Sequence, residues 1–217
     1  MEMELKWIQQ YQIAPTDLYQ TKIYVELLQQ IPHRNLIEVL TSTHTPQHLT
    51  HCGIAASLGW KTHTFESDAR RYRHLCRQLS ENQLLDHVTP IYTYLGLRPS
   101  LDHAVLMVQK PIGILRLEHD RILDLLEGLN YCLINQMIDC MILKVKPSCQ
   151  PTNRWLELLF SLEKYGYRLY DLSTPQITPT TQTIQLVSWD LNLIHVTNEI
   201  TLLCIHKARD LKCLNPH

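Results

Sequence analysis

Short apolar runs alternate with amphipathic segments along almost the whole chain, and few folds satisfy that alternation. Residues 35–41 and 140–145 are continuous apolar runs bounded by turns, the pattern of strands buried on both faces. Residues 60–65 alternate and end at Glu66. Between them lie helical segments with recognisable ends. Thr16-Asp17 caps one carrying Leu18, Ile23, Val25, Leu27 and Leu28 up to Pro32, and Pro46 opens a second that stops at Gly59. Ser67-Asp68 caps a third, with Tyr72, Leu75, Cys76 and Leu79 inward, ending near Asn82. Residues 151–165 form a fourth, closed by Gly166. Asp120 caps a short helix running to Leu129. Further strands are expected at 87–93, 103–109, 113–118, 167–170, 184–189 and 200–206, with a loop at 174–183. The order implies an α/β fold: a doubly wound, mostly parallel sheet with antiparallel C-terminal strands at its edge. Ligands bind such sheets beyond the carboxyl ends of the strands, so the loops after Leu40, Phe65 and Val145 come into view together. No linker divides the chain; residues 1–34 read as a helical segment packing on a single domain of residues 35–217.

Bulk chemistry narrows the function classes. Twenty Lys+Arg against twenty-one Asp+Glu leave a net charge of −1, which argues against nucleic acid as a partner. Arg70-Arg71-Tyr72-Arg73 is a local basic patch, read more simply as a solvated helix face. No apolar run reaches the roughly 18 residues of a membrane span, and MEMELKWIQQ lacks a signal-peptide core. Seven cysteines without CxxC spacing point to reduced thiols and a cytoplasmic protein.

The stretch EVLTSTHTPQHLTHCG, residues 38–53, follows the first strand where a nucleotide-binding domain would place a glycine-rich turn. It holds His44, His48, His51 and Cys52 instead. A helix starting at Pro46 would set His48 and Cys52 one turn apart, and imidazole with thiolate suits zinc. No carboxylate or second cysteine pair completes a metal spacing, and twelve histidines make local clusters ordinary. The simpler reading is a polar helix N-terminus with no metal. Cys52, Cys140 and Cys204 sit in apolar contexts and read as core. No nucleophile elbow, P-loop or HExxH motif is present.

With those loops in view, the chain resembles the Rossmann-like S-adenosylmethionine-dependent methyltransferases, and more narrowly the FkbM-type enzymes, over about residues 35–172. His63-Thr64-Phe65-Glu66 with the following helix is similar to that family's phenylalanine-glutamate strand end. Arg121-Ile122-Leu123-Asp124-Leu125-Leu126 resembles its leucine-aspartate-x-leucine-leucine helix. Residues 138–144 resemble its lysine-ended strand, and Glu163-Lys164-Tyr165-Gly166-Tyr167-Arg168-Leu169 its glycine-tyrosine turn. The resemblance implies S-adenosylmethionine as cofactor, a sugar or small-molecule hydroxyl as acceptor, and Glu38, Thr41, His44 and Glu66 as cofactor-side residues.

The departures fall on the chemistry. Glu38 fits the family's acid, but Leu40 and His44 stand where its glycines let backbone approach the cofactor. After Lys144 the family's aspartate and glutamate are replaced by Lys146 and Ser148, so the carboxylates that would orient a hydroxyl acceptor are missing. Glu66 could accept both ribose hydroxyls, or be an ordinary strand-end acid beside a helix N-terminus. Two readings remain. One is a methyltransferase-like domain without catalysis or bound cofactor, a binding or assembly module for a protein partner or homo-oligomer. The other is an active, divergent O-methyltransferase.

Overall fold

The computed structural model describes residues 18–40, 48–95, 99–108, 110–119, 121–145, 152–172, 187–188 and 200–209. Five parallel strands form the body of one sheet: β1 (Asn35–Leu40), β2 (Lys61–Glu66), β3 (Val88–Tyr92), β4 (Ile112–Glu118) and β5 (Ile138–Val145). With β6 (Tyr167–Asp171), β7 (Val187–Ser188) and β8 (Ile200–His206), the order is β3-β2-β1-β4-β5-β8-β6-β7. The expected mostly parallel α/β sheet is therefore present. Its last long strand, β8, does not form the edge: it inserts antiparallel between β5 and β6. Of the strand expected at 184–189, the pair Val187–Ser188 is described and joins β6; the loop at 174–183 lies outside the described residues.

The described helices are α1 (Leu18–Gln30), α2 (His48–Ser57), α3 (Ala69–Glu81), α4 (Leu101–Val108), α5 (Ile122–Glu127), α6 (Asn130–Ile134) and α7 (Thr152–Lys164). Strand alternation sends Ile37, Val39, Leu115, Leu117, Met141 and Leu143 to one face, packed with Leu101, Val105, Leu126 and Trp155. Leu36, Ile114 and Cys140 face the other way, under Ile23, Tyr24 and Leu27 of α1 and Ile54 and Ala55 of α2. A third cluster, with Leu49, Cys52, Ala56, Leu75, Leu79 and Val88, joins α2 to α3 over the β3 edge. No helix among the described residues is long and apolar enough to cross a membrane.

Helix ends follow the sequence where a cap is explicit. Asp68 accepts from the N–H groups of Arg70 and Arg71 at 2.9 and 2.8 Å, and Asn82 closes α3. Gly166 ends the turn after α7 at φ +93°. Two expectations change. Residues 103–109, read as β-rich, belong to α4 up to Val108: Leu101, Ala104 and Val105 are its buried residues, a helical i, i+3, i+4 stripe. The cap position of α5 is Arg121, which makes no side-chain cap bond; Asp120 lies outside the described residues.

At the amino ends of the strands the packing is close. A Cβ on Gly113 would meet the His33 carbonyl oxygen at 1.8 Å. Nearby, Asp139, only 3% exposed, pairs with His33 Nδ1 at 2.7 Å and accepts from Arg209 Nε at 2.7 Å. This staple ties the loop after α1 to β5 and to the turn after β8, at the end of the sheet away from the ligand-binding end.

Candidate functional site

The parallel register lines up the last rung of four neighbouring strands. Glu66 of β2 pairs with Leu40 of β1, Leu40 with Glu118 of β4, and Glu118 with Lys144 of β5. One rung deeper, Thr64, Glu38 and Arg116 line up in the same way. Residues i and i+2 share a face, so this polar band lies on the side covered by α1 and α2, at the carboxyl ends. It is where a doubly wound sheet binds ligands.

Glu66 is buried, its side chain 4% exposed, and its carboxylate is already engaged. Oε1 accepts from the Asp68 backbone N–H at 2.7 Å and from Arg71 Nη2 at 3.1 Å; Oε2 accepts from Arg71 Nε at 3.0 Å. The guanidinium fork holds both oxygens at once, the strongest geometry for such a pair. Three of the carboxylate's roughly four acceptor sites are taken, so a ribose diol reaching both oxygens would have to displace at least one of these donors.

Leu40, where the resemblance leads one to expect a glycine, is 2% exposed and stands between Glu66 and Glu118 on the same rung. Its side chain fills space that glycine would leave open. Glu38 is fully buried and neither carboxylate oxygen has a hydrogen-bond partner; Arg116 Nη1 approaches Oε1 at 3.5 Å. Burial pushes this carboxyl up to about 7, against the pull of Arg116 and with a further push from Glu118. Arg116 also binds Glu118 Oε2 at 2.9 Å, and Lys144 Nζ holds Glu118 Oε1 at 3.2 Å. Both oxygens of Glu118 are thus in ion pairs. His119 follows, its Nδ1 accepting from the Arg121 N–H at 2.7 Å.

Of the sequence-derived candidates, Glu38 and Glu66 therefore come together at the strand ends, while Thr41, His44, Lys146 and Ser148 lie outside the described residues. His48 is described as the first residue of α2, without its side chain. His51 sets its ring edge-on to Tyr24 at 5.0 Å. The Cys52 sulfur points into the α2–α3 core toward the Leu49 carbonyl, 3.6 Å away, and burial raises its thiol pKa. The thiols of Cys140 and Cys204 are likewise buried and raised. These three cysteines are core residues, as their apolar contexts suggested. No group of three or more potential metal ligands occurs among the described residues.

Sequence reasoning missed Arg71, Arg116, Glu118 and His119. The β4 signal was readable: Arg116 and Glu118 are two charges at i and i+2 in the otherwise apolar run Ile-Gly-Ile-Leu-Arg-Leu-Glu, hence neighbours on one face.

No protein-family model matches the sequence, and no curated protein is significantly similar to it. Solved structures are similar in fold. An S-adenosylmethionine-dependent O-methyltransferase from Thermotoga maritima superposes with a TM-score of 0.55 at 14% identity, over 91% of this chain and 67% of that one. A human methyltransferase 10 domain containing protein gives 0.55 at 11%, over 87% and 82%. The cofactor-bound Rv0187 from MTB gives 0.56 at 10%, over 95% and 88%. At these identities the likeness is one of fold: the chain has the Rossmann-like architecture of S-adenosylmethionine-dependent methyltransferases.

Proposed function

We propose that this domain of methyltransferase fold is a divergent relative of the FkbM-type enzymes that has lost methyl transfer and works as a binding or assembly module. The observation that carries this reading is Glu66. The acid that would hold the cofactor ribose is held instead by Arg71 and the Asp68 N–H, three hydrogen bonds within its own chain. Freeing both oxygens means breaking a bidentate pair around a nearly buried carboxylate, a cost that cofactor binding would have to exceed. Leu40 supports the reading from the neighbouring strand. Glu118, the other acid on the last rung of the sheet, has both oxygens bound to Arg116 and Lys144 and is a poor base in that state.

The assembly half of the proposal draws on two touching helices. Leu106 and Met107 of α4 and Tyr131 and Ile134 of α6 leave between 44% and 62% of their surface uncovered. Exposed apolar side chains on adjacent elements suit a protein partner or a second copy of this chain. The free thiols of Cys52, Cys76, Cys132, Cys140 and Cys204 suit a reducing, cytoplasmic setting.

The competing reading is an active O-methyltransferase acting on a sugar or small-molecule hydroxyl. It draws on Glu66 itself, which keeps its strand-end position. Calorimetric titration with S-adenosylmethionine and S-adenosylhomocysteine separates the two. The expected result is no specific heat with either ligand. Micromolar binding that disappears in Glu66→Ala would overturn the loss of the cofactor site and leave the enzyme reading to be decided by a methyl-transfer assay.

A further inference from the structure

Arg116 stands between two acids on the face of the sheet covered by α1 and α2. Its Nη2 donates to Glu118 Oε2 at 2.9 Å, a charge-assisted hydrogen bond. Its Nη1 lies 3.5 Å from Glu38 Oε1, too far for a good one. The guanidinium is thus committed to Glu118 and poised beside Glu38. All three groups are well covered: 13% of the Arg116 side chain is exposed, 12% of Glu118 and none of Glu38. In such a place a hydrogen bond gained or lost counts for more than in water.

The surroundings of Glu38 decide how it responds to pH. Tyr24 of α1 and Cys52 of α2 interact with its charge, and burial raises the pKa of both, so both stay neutral near pH 7. Thr64, its neighbour on β2, brings a buried hydroxyl with no hydrogen-bond partner and no charge. From β4 come Arg116, which attracts the ionised form, and Glu118, which repels it. Lys144 of β5 lies one rung further out and is bound to Glu118. Among the described residues, Arg116 is therefore the cation that answers to Glu38. An ionised carboxylate is strongly disfavoured at full burial without a partner. Nη1 reaches hydrogen-bond distance by moving less than a covalent bond length, and Nη2, on the same planar fork, moves with it.

We infer that Glu38 is a proton switch for Arg116. With Glu38 protonated the guanidinium serves Glu118; with Glu38 ionised it tilts toward Glu38 and shares its charge between the two acids. Ionisation thus loosens the hold of Arg116 on Glu118 and lowers the charge at the ligand-binding end of the sheet by one. The inference concerns how this end responds to pH and does not rest on the loss of methyl transfer.

NMR titration of the full chain, isotope-labelled at glutamate and arginine, tests it. The Glu38 carboxyl titrates with a midpoint at about 7. Over the same midpoint the Arg116 Nη1 protons move downfield, as a new charge-assisted bond requires, while the Nη2 protons move upfield. Glu38→Gln abolishes this step at Arg116. Glu118→Gln removes a repelling charge and the competitor for Arg116, and lowers the Glu38 midpoint by about half a unit or more. A Glu38 that titrates near the ordinary 4.5, or stays protonated throughout, overturns the proposal. So do Arg116 signals that ignore the Glu38 titration, or a Glu38 midpoint that Glu118→Gln leaves unmoved or raises. Circular dichroism melts verify that the variants fold; should either fail, the coincidence of the Glu38 and Arg116 titrations in the wild-type chain decides the outcome.

Discussion

Replacing Glu38 by glutamine should stabilise the fold above neutral pH and leave it nearly unchanged in acid. Glu38 lies at 0% exposure, neither oxygen is hydrogen-bonded, and Arg116 comes no closer than 3.5 Å. Burial, the largest influence, raises its carboxyl from the ordinary 4.5 to about 7. In the unfolded chain Glu38 ionises near 4.5, whereas the folded chain keeps the proton until about 7. Between those values folding takes up a proton, so stability falls as pH rises, and the penalty is complete above pH 7. A gap of about 2.5 units at 1.36 kcal/mol per unit amounts to about 3 kcal/mol. Glutamine keeps the shape without the titration, and Arg116 retains Glu118 as a partner at 2.9 Å. Urea denaturation at pH 4 and pH 8 measures the effect as a shift in midpoint at constant m-value. The variant should match wild type at pH 4 and exceed it by about 3 kcal/mol at pH 8. Equal differences at both pH values, or a variant less stable at pH 8, would refute the reasoning and show that Arg116 outweighs burial.

Three further substitutions bear on the same framework. Arg71→Ala leaves Glu66 nearly buried with only the Asp68 N–H, and should cost about 2 kcal/mol in denaturant unfolding; a loss under about 0.5 kcal/mol would mean the pair is not formed. Gly113→Ala pushes a Cβ into the His33 carbonyl and Trp60, and should cost about 3 kcal/mol or lower soluble yield. Asp139→Ala removes the shared partner of His33 and Arg209, and should cost about 2 kcal/mol, measured by urea midpoint.

The sheet was largely legible because its strands are buried on both faces and its helices carry explicit ends. β1, β2, β5, the Asp68 cap and the Gly166 turn follow directly from apolar runs and turn residues. Residues 103–109 misled because Val105, Leu106, Met107 and Val108 are as good in a strand as in a helix; only tertiary packing shows that Leu101, Ala104 and Val105 form the buried stripe. The five-residue α6 was missed, being too short for a periodic signal. The insertion of β8 between β5 and β6 is a long-range pairing that local pattern does not encode.

At the site, Glu66 could be placed at a strand end from the alternating run, whereas Glu38, inside β1, was singled out by the resemblance. That Arg71 closes on Glu66 could not be read from either, because the pair spans a helix cap and depends on where the first turn of α3 aims its side chains. The basic run around it was visible in sequence. Its division into one inward arginine and an outward row of Arg70, Arg73 and Arg77 required the helix.

A crystal structure grown with saturating S-adenosylhomocysteine tests the loss of the cofactor site most directly. The expected result is Arg71 still paired with Glu66 and no ligand beyond the β1 and β2 ends. A bound nucleoside with both ribose hydroxyls on Glu66 and Arg71 swung aside would contradict it.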